Sequence, residues 1–305
     1  MKKKLFLLII CLGCTEIEEA AVEVINSCTE VNSTFTINTD PTTCTVDIQA
    51  KLNTASVYEE VIEDNKRKIT FNNIANHPVG AFPNSGNPNT ISAKTHQVEA
   101  PLNPVIAASF TSAQGYDFGV FFSGVAIDPF TAEFFRNGGK VNRSWNETTL
   151  TTAVNLGLDC NNAHVQPTGE YHYHARPTAF IEQLTSEQTP TEMVKLGYAA
   201  DGFPIYYKYG YDTNGVLVEF ESGYRLKEGS RPGDGVSAPE GCYDGLYFQD
   251  YEYVAGISAL DQANGRMGKT PESEHKYYYV VTDNFPSSPL YFRGTPDPSF
   301  RHGGP

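Results

Sequence analysis

Positive charge is the first thing this chain is short of. Its 22 Lys and Arg stand against 36 Asp and Glu, a formal net charge of −14. A surface of that sign repels phosphate backbones and anionic headgroups, which excludes nucleic acid as a partner and leaves a membrane only an indirect hold. Methionine is scarce as well, three residues in 305, so a thioether-rich site for cuprous ion has nothing to be built from. The serine nucleophile elbow, the glycine-rich phosphate loop and the dinucleotide fingerprint are all missing, which removes the sequence signatures of several large enzyme classes. Past residue 12 no stretch is apolar enough to span a bilayer. Aromatic residues, by contrast, make up 12% of the chain, almost all Tyr and Phe, beside 26 Gly and 19 Pro. That mixture predicts many short strands and tight turns rather than long helices.

The first residues read as an address. Lys2-Lys3-Lys4 is a basic start, Leu5 to Leu12 a short apolar run, and Gly13-Cys14 its close. Such a run ending in Gly-Cys resembles the lipobox of bacterial lipoproteins, which implies a signal peptide over 1–13 and lipidation of Cys14. An ordinary secretory signal is the alternative; either one places the mature chain outside the cytoplasm, and the lipid anchor would hold it at the cell envelope. Four cysteines then remain, Cys28, Cys44, Cys160 and Cys242, an even number that predicts two disulfides in an oxidising compartment. Sequence proximity favours Cys28–Cys44 and Cys160–Cys242 among the three connectivities. Metal ligation by Cys160, close to His164, is the weaker idea, because no second cysteine supplies the paired spacing of a zinc site. Residues 14–57 therefore read as a tether leading into a small disulfide-closed strand unit, and 58–305 as the main domain.

Within that domain, Lys68–Phe71, Gly119–Ile127 and Lys276–Val281 read as strands. Ile205–Tyr211 and Gly215–Phe220 form a hairpin around Asp212-Thr213-Asn214-Gly215. Ala179–Leu184 is the best helix, and Thr131–Phe135 a single helical turn. The expected fold is mainly β, an antiparallel sandwich or barrel-like domain with few short helices.

The stretch that carries chemistry is Tyr171-His172-Tyr173-His174. On a strand, side chains alternate, so His172 and His174 share one face, roughly 6.5–7 Å apart at Cα, and the two tyrosines pack on the other. His164 lies just upstream. The segment also recurs. Leu158-Asp159-Cys160-Asn161-Asn162-Ala163-His164 aligns with Leu260-Asp261-Gln262-Ala263-Asn264-Gly265-Arg266, and the Tyr-His-Tyr-His strand with Tyr277-Tyr278-Tyr279-Val280. The Leu, Asp and Asn scaffold persists, whereas His164, His172 and His174 become Arg266, Tyr278 and Val280 together. Joint loss is what three residues working as one unit would show.

These pieces resemble the YHYH family of secreted bacterial proteins. The likeness runs from about Phe71 to Gly294 and includes Asn76-His77-Pro78, Asp128-Pro129, Asn161-Asn162-Ala163-His164, Gly169-Glu170-Tyr171-His172-Tyr173-His174, Ala200-Asp201-Gly202-Phe203-Pro204-Ile205 and Asn264-Gly265-Arg266. It implies one extracytoplasmic unit with the histidine motif as its signature, and brings no reaction with it. The residues themselves point to a copper or zinc ion held by His164, His172 and His174. Asp201 or Glu170 would orient a ligand or act as a base, and Arg266 would contact a small anion. His77 reads as a turn histidine, and His96, His275 and His302 as surface residues. Two other readings stay open: an envelope hydrolase acting on carbohydrate or cell-wall material, and a structural or binding module whose histidines brace loops without metal.

Overall fold

A computed structural model of the chain describes Cys28, residues 31–186 and residues 188–302. The apolar run Gly119–Ile127 folds as a tight hairpin, not as the single buried strand its composition predicts. Gly119–Phe121 and Ala126–Ile127 pair antiparallel. Gly124 reverses the chain between them at φ +78°, a conformation that a Cβ disfavours. Lys195–Ala199 and Pro204–Tyr207 build the same hairpin around Gly202 at φ +86°. The two hairpins join through Gly197–Phe121, Tyr198–Val120 and Ala199–Gly119, a register symmetric about its middle pair. Glycine is required here, because a Cβ on Gly119 would strike the Tyr198 carbonyl and one on Gly197 the Val120 carbonyl.

Each hairpin then receives a second one. Ala163–Val165 pairs antiparallel with Tyr171–Tyr173, which lies parallel to Ala126–Ile127 through Tyr173–Ile127. Gly265–Thr270 pairs antiparallel with Ser273–Val281, which lies parallel to Pro204–Tyr207 through Tyr279–Ile205 among others. The result is one open eight-stranded sheet made of two equivalent four-strand units. An open sheet disposes of the barrel-like alternative, and the fold is mainly β and sandwich-like.

A three-stranded antiparallel sheet, Tyr58–Glu63, Lys66–Phe71 and His96–Pro101, supplies a second layer. Its middle strand buries every other residue, the pattern of a strand with one wet face. Ile69, Phe71, Val98 and Ala100 share a core with Phe118, Phe121, Ile127, Tyr171, Tyr173 and Tyr279 of the large sheet. On the other face of the second unit, Tyr206, Tyr278 and Val280 pack with Met193, Phe220 and Leu260. The hairpin Tyr209–Tyr211/Leu217–Glu219 covers them and turns at Asp212–Gly215 as expected, but the expected strand Ile205–Tyr211 is split, its first part lying in the large sheet as Pro204–Tyr207.

Among the described residues the α-helices are Ile48–Leu52 and Thr178–Thr185, the latter enclosing the stretch expected to be helical. The helical turn expected at Thr131–Phe135 is absent. Phe134–Asn137 instead pairs with Lys140–Asn146, and Asn146 Nδ2 donates to the Thr131 and Glu133 carbonyls at 3.1 and 2.6 Å, holding that segment extended. Among the described residues two disulfides form, but with a different pairing from the expected one, Cys28–Cys242 and Cys44–Cys160. The segment around Cys44 is therefore no self-closed unit. It straps onto the body through Phe35–Thr151 and Val46–Val79 bridges, which carries each cysteine to a distant partner. Paired cysteines fit an extracytoplasmic protein. The signal segment 1–13 and Cys14 lie outside the described residues, among which no helix is long and apolar enough to cross a membrane.

Candidate metal centre

The loop that presents His164 is built on one buried carboxylate. Asp159 Oδ1 accepts from the Asn161 and Ala163 amides at 2.9 and 3.3 Å, and Oδ2 from the Gly80 amide and the Tyr171 hydroxyl at 2.9 and 2.7 Å. Burial raises its pKa despite these four donors. Asn162 sits at φ +52°, a left-handed conformation that Asn tolerates better than most residues. Its amide accepts from Asn38 N at 2.7 Å and donates to the Asn38 and Arg176 carbonyls, both at 2.9 Å. The strand that starts at Ala163 is fixed from its first residue.

Register does the rest. His164 and His172 are direct cross-strand partners, so their side chains rise on the same face, and His174 follows two residues on. His174 Nε2 lies 3.0 Å from His172 Nε2 and 3.1 Å from His164 Nε2. The three ring centroids are 4.7, 4.7 and 4.9 Å apart. His164 Nδ1 donates to the Leu156 carbonyl at 3.2 Å and His172 Nδ1 faces the Glu170 carbonyl at 3.5 Å, leaving the Nε2 lone pairs turned inward. His172 and His174 are buried and His164 partly so. Burial, then the neighbouring imidazoles, hold His172 down to about 3 and His174 well below its ordinary value, and burial lowers His164. Three neutral imidazoles with converging nitrogens fit a single borderline ion, copper or zinc.

The cluster lines a cavity of about 1130 Å³. Glu170 borders the same cavity, its Oε1 2.7 Å from His96 Nε2, so His96 is no isolated surface residue. Nor is His302, whose ring reaches Asp117 and Asp128 on the cavity wall. No local motif in the sequence marks Asp117 or Asp128 as a site residue, although Asp128-Pro129 stands among the family-like pieces. His77 is the structural histidine expected of it: buried, with Nδ1 2.9 Å from the Pro78 carbonyl and Nε2 2.6 Å from the Tyr173 hydroxyl.

The other anticipated site residues lie elsewhere. Asp201 is buried in the second unit, accepting from the Tyr279 hydroxyl and, at 2.8 Å, from the Gly294 amide. It corresponds to Ser123 of the first unit, which meets the Tyr173 hydroxyl at 2.8 Å. Its hydrogen bonds reach no histidine, so it is a brace and not the partner of a ligand. Arg266 lies over the Phe220 ring, 4.6 Å from its centroid, outside the histidine cavity.

Fold and site together define a class: a duplicated, mainly-β protein in which one unit alone carries a three-histidine cluster facing a cavity. The chain belongs to the YHYH protein family, whose sequence profile matches residues 97–294, a span holding both four-strand units and all three histidines. No curated protein and no solved structure matches it.

Proposed function

We propose that this is an extracytoplasmic, lipid-anchored metal-binding protein of the cell envelope, holding one copper or zinc ion through His164, His172 and His174. The convergence of the three Nε2 atoms carries the reading. Two ligands at about 2.1 Å from one ion stand roughly 3.0–3.4 Å apart at angles between 90° and 110°, and two of the three separations, 3.0 and 3.1 Å, fall in that range. Without an ion, a single N–H on His174 Nε2 serves one of these two close approaches and leaves the other as lone pair against lone pair. Bound there, zinc supplies Lewis acidity and copper supplies electron transfer.

Mass spectrometric metal analysis of the mature protein, loaded with copper or zinc and desalted, tests it. About one equivalent should stay with the wild type and leave in a folded His172→Ala/His174→Ala variant. A wild type that retains neither ion would overturn the reading and return the cluster to a hydrogen-bonded brace.

The cavity supports a second reading, an envelope hydrolase acting on carbohydrate or cell-wall material. Glu170, on the cavity wall, is then the base in place of Asp201. Glu170→Gln would abolish turnover while leaving metal content intact; turnover unchanged by Glu170→Gln would remove Glu170 from that role.

A further inference from the structure

A second set of ligand atoms stands on the same cavity wall, and backbone pairing places every member of it. Asp128 directly follows the Ala126–Ile127 strand, and Asp117 precedes Phe118, whose amide donates to the Ile127 carbonyl at 2.7 Å. The two carboxylates thus leave neighbouring strand ends side by side. His302 arrives from the far end of the chain. Tyr116 bridges to Arg301, and the His302 amide donates to the Gly115 carbonyl at 3.1 Å. Asp128 is buried and its Oδ1 is committed to the Phe130 amide at 2.9 Å, which leaves Oδ2 for the cavity side.

The distances suit an ion held among the three side chains as well as an ion pair between them. His302 Nε2 lies 3.3 Å from Asp117 Oδ1 and 3.4 Å from Asp128 Oδ2. The 3.3 Å contact is a hydrogen bond from His302 to Asp117, longer than the roughly 2.7–2.9 Å of charge-assisted N–H···O bonds, and Asp128 Oδ2 stands farther still. As edges of a coordination polyhedron with ligands about 2.1 Å from the ion, 3.3 and 3.4 Å are ordinary. The three ligand atoms all lie within 4.8 Å of one another.

We propose that Asp117, Asp128 and His302 form a second divalent-cation site, separate from the three histidines and harder in character. Two carboxylates and one imidazole suit manganese or ferrous ion, where three imidazoles suit copper or zinc. The two sites share no ligand, so either can stand without the other. An occupant of the cavity meets both.

Manganese is the discriminating probe. Full-length mature protein is dialysed against Mn²⁺, and bound metal is read by mass spectrometry and by the electron paramagnetic resonance of the protein-bound ion. Wild type and the His172→Ala/His174→Ala variant should each retain about one equivalent of Mn²⁺. His302→Gln and Asp117→Asn should each weaken retention about tenfold or more, with copper loading of the three histidines unchanged. Both substituted side chains are partly exposed, and thermal melts establish that the variants fold. Absence of Mn²⁺ from the wild type, or retention in His302→Gln and Asp117→Asn equal to wild type, would overturn the second site while leaving the three-histidine reading untouched. Loss of Mn²⁺ in the His172→Ala/His174→Ala variant would overturn its independence.

Discussion

His77 shows what burial alone does to an imidazole in this protein. Its ring is enclosed, with Phe180 and Tyr173 centroids 5.6 and 6.0 Å away, and desolvation pushes its pKa down to about 4. In the unfolded chain the same group titrates near 6.5. The folded pKa is the lower one, so the stability His77 contributes is present above pH 6.5 and is lost as pH falls toward 4. That amounts to about 3 kcal/mol over the whole window. His77→Gln cannot titrate. Urea denaturation between pH 6 and 4.5 should therefore show the variant losing stability less steeply than wild type, by about 1 kcal/mol per pH unit near pH 5. Equal slopes would mean that the buried imidazole takes up its proton without unfolding. The sequence already separates this histidine from the cluster of His164, His172 and His174, because a proline follows it in a turn-rich stretch. It says nothing comparable of His96 or His302, whose role depends on carboxylates more than seventy residues away in the chain. Contacts of that range leave no local pattern, and both read as surface residues until the fold brings Glu170 and Asp117 to them.

At the level of elements the two units are a controlled comparison. Asp159 and Asp261 each accept from a tyrosine hydroxyl, Tyr171 and Tyr277, at 2.7 and 2.9 Å, and Asn162 and Asn264 both sit left-handed, at φ +52° and +48°. The loops are alike and their cargo is not. Asn162→Ala loses hydrogen bonds to the Asn38 amide and carbonyl and to the Arg176 carbonyl, and it also forces a left-handed alanine, together about 2–3 kcal/mol. Asn264→Ala loses a bond to the Pro286 carbonyl at 2.7 Å and incurs the same strain, about 1–2 kcal/mol. Urea titrations with metal analysis should find both variants less stable, with metal retention reduced only in Asn162→Ala, whose loop carries His164. Equal loss of metal from Asn264→Ala would show that the units do not act separately. The loop-and-strand half of this duplication is readable in the sequence, because Asp, Asn and Tyr hold it by hydrogen bonds that few other residues can replace. The hairpin half is hard to see. Phe118–Ile127 and Leu196–Ile205 share only Gly119/Gly197, Gly124/Gly202 and Ile127/Ile205. Backbone approach fixes the glycines, and the remaining positions accept any residue that fills a core.

For the molecule as a whole, the disulfides decide how the amino-terminal strap and the site are linked. Proximity in sequence points to the wrong partners because the strap runs along the body, paired at Phe35–Thr151 and Val46–Val79, and delivers its cysteines to whatever lies beneath. The two bridges are 214 and 116 residues apart in sequence, so each constrains a large fraction of the unfolded chain, with about 2–5 kcal/mol expected from either. Their consequences for the site differ. Cys160 belongs to the Asp159–Asn162 loop, and Asn161 Nδ2 lies 3.4 Å from Cys44 Sγ, 3.0 Å from the Pro78 carbonyl and 3.2 Å from the Tyr171 hydroxyl. Cys28–Cys242 pins a segment whose neighbour is Ser230, far along the chain from the histidines. Replacing Cys44 and Cys160 by serine should lower the melting temperature and also weaken copper or zinc retention, because the loop behind His164 loses its anchor. Replacing Cys28 and Cys242 should lower the melting temperature alone. Calorimetry and metal analysis of both double variants separate the outcomes. If metal leaves with Cys28–Cys242 and stays without Cys44–Cys160, the strap is not what steadies the site, and the Asp159 hydrogen bonds suffice to hold His164 in place.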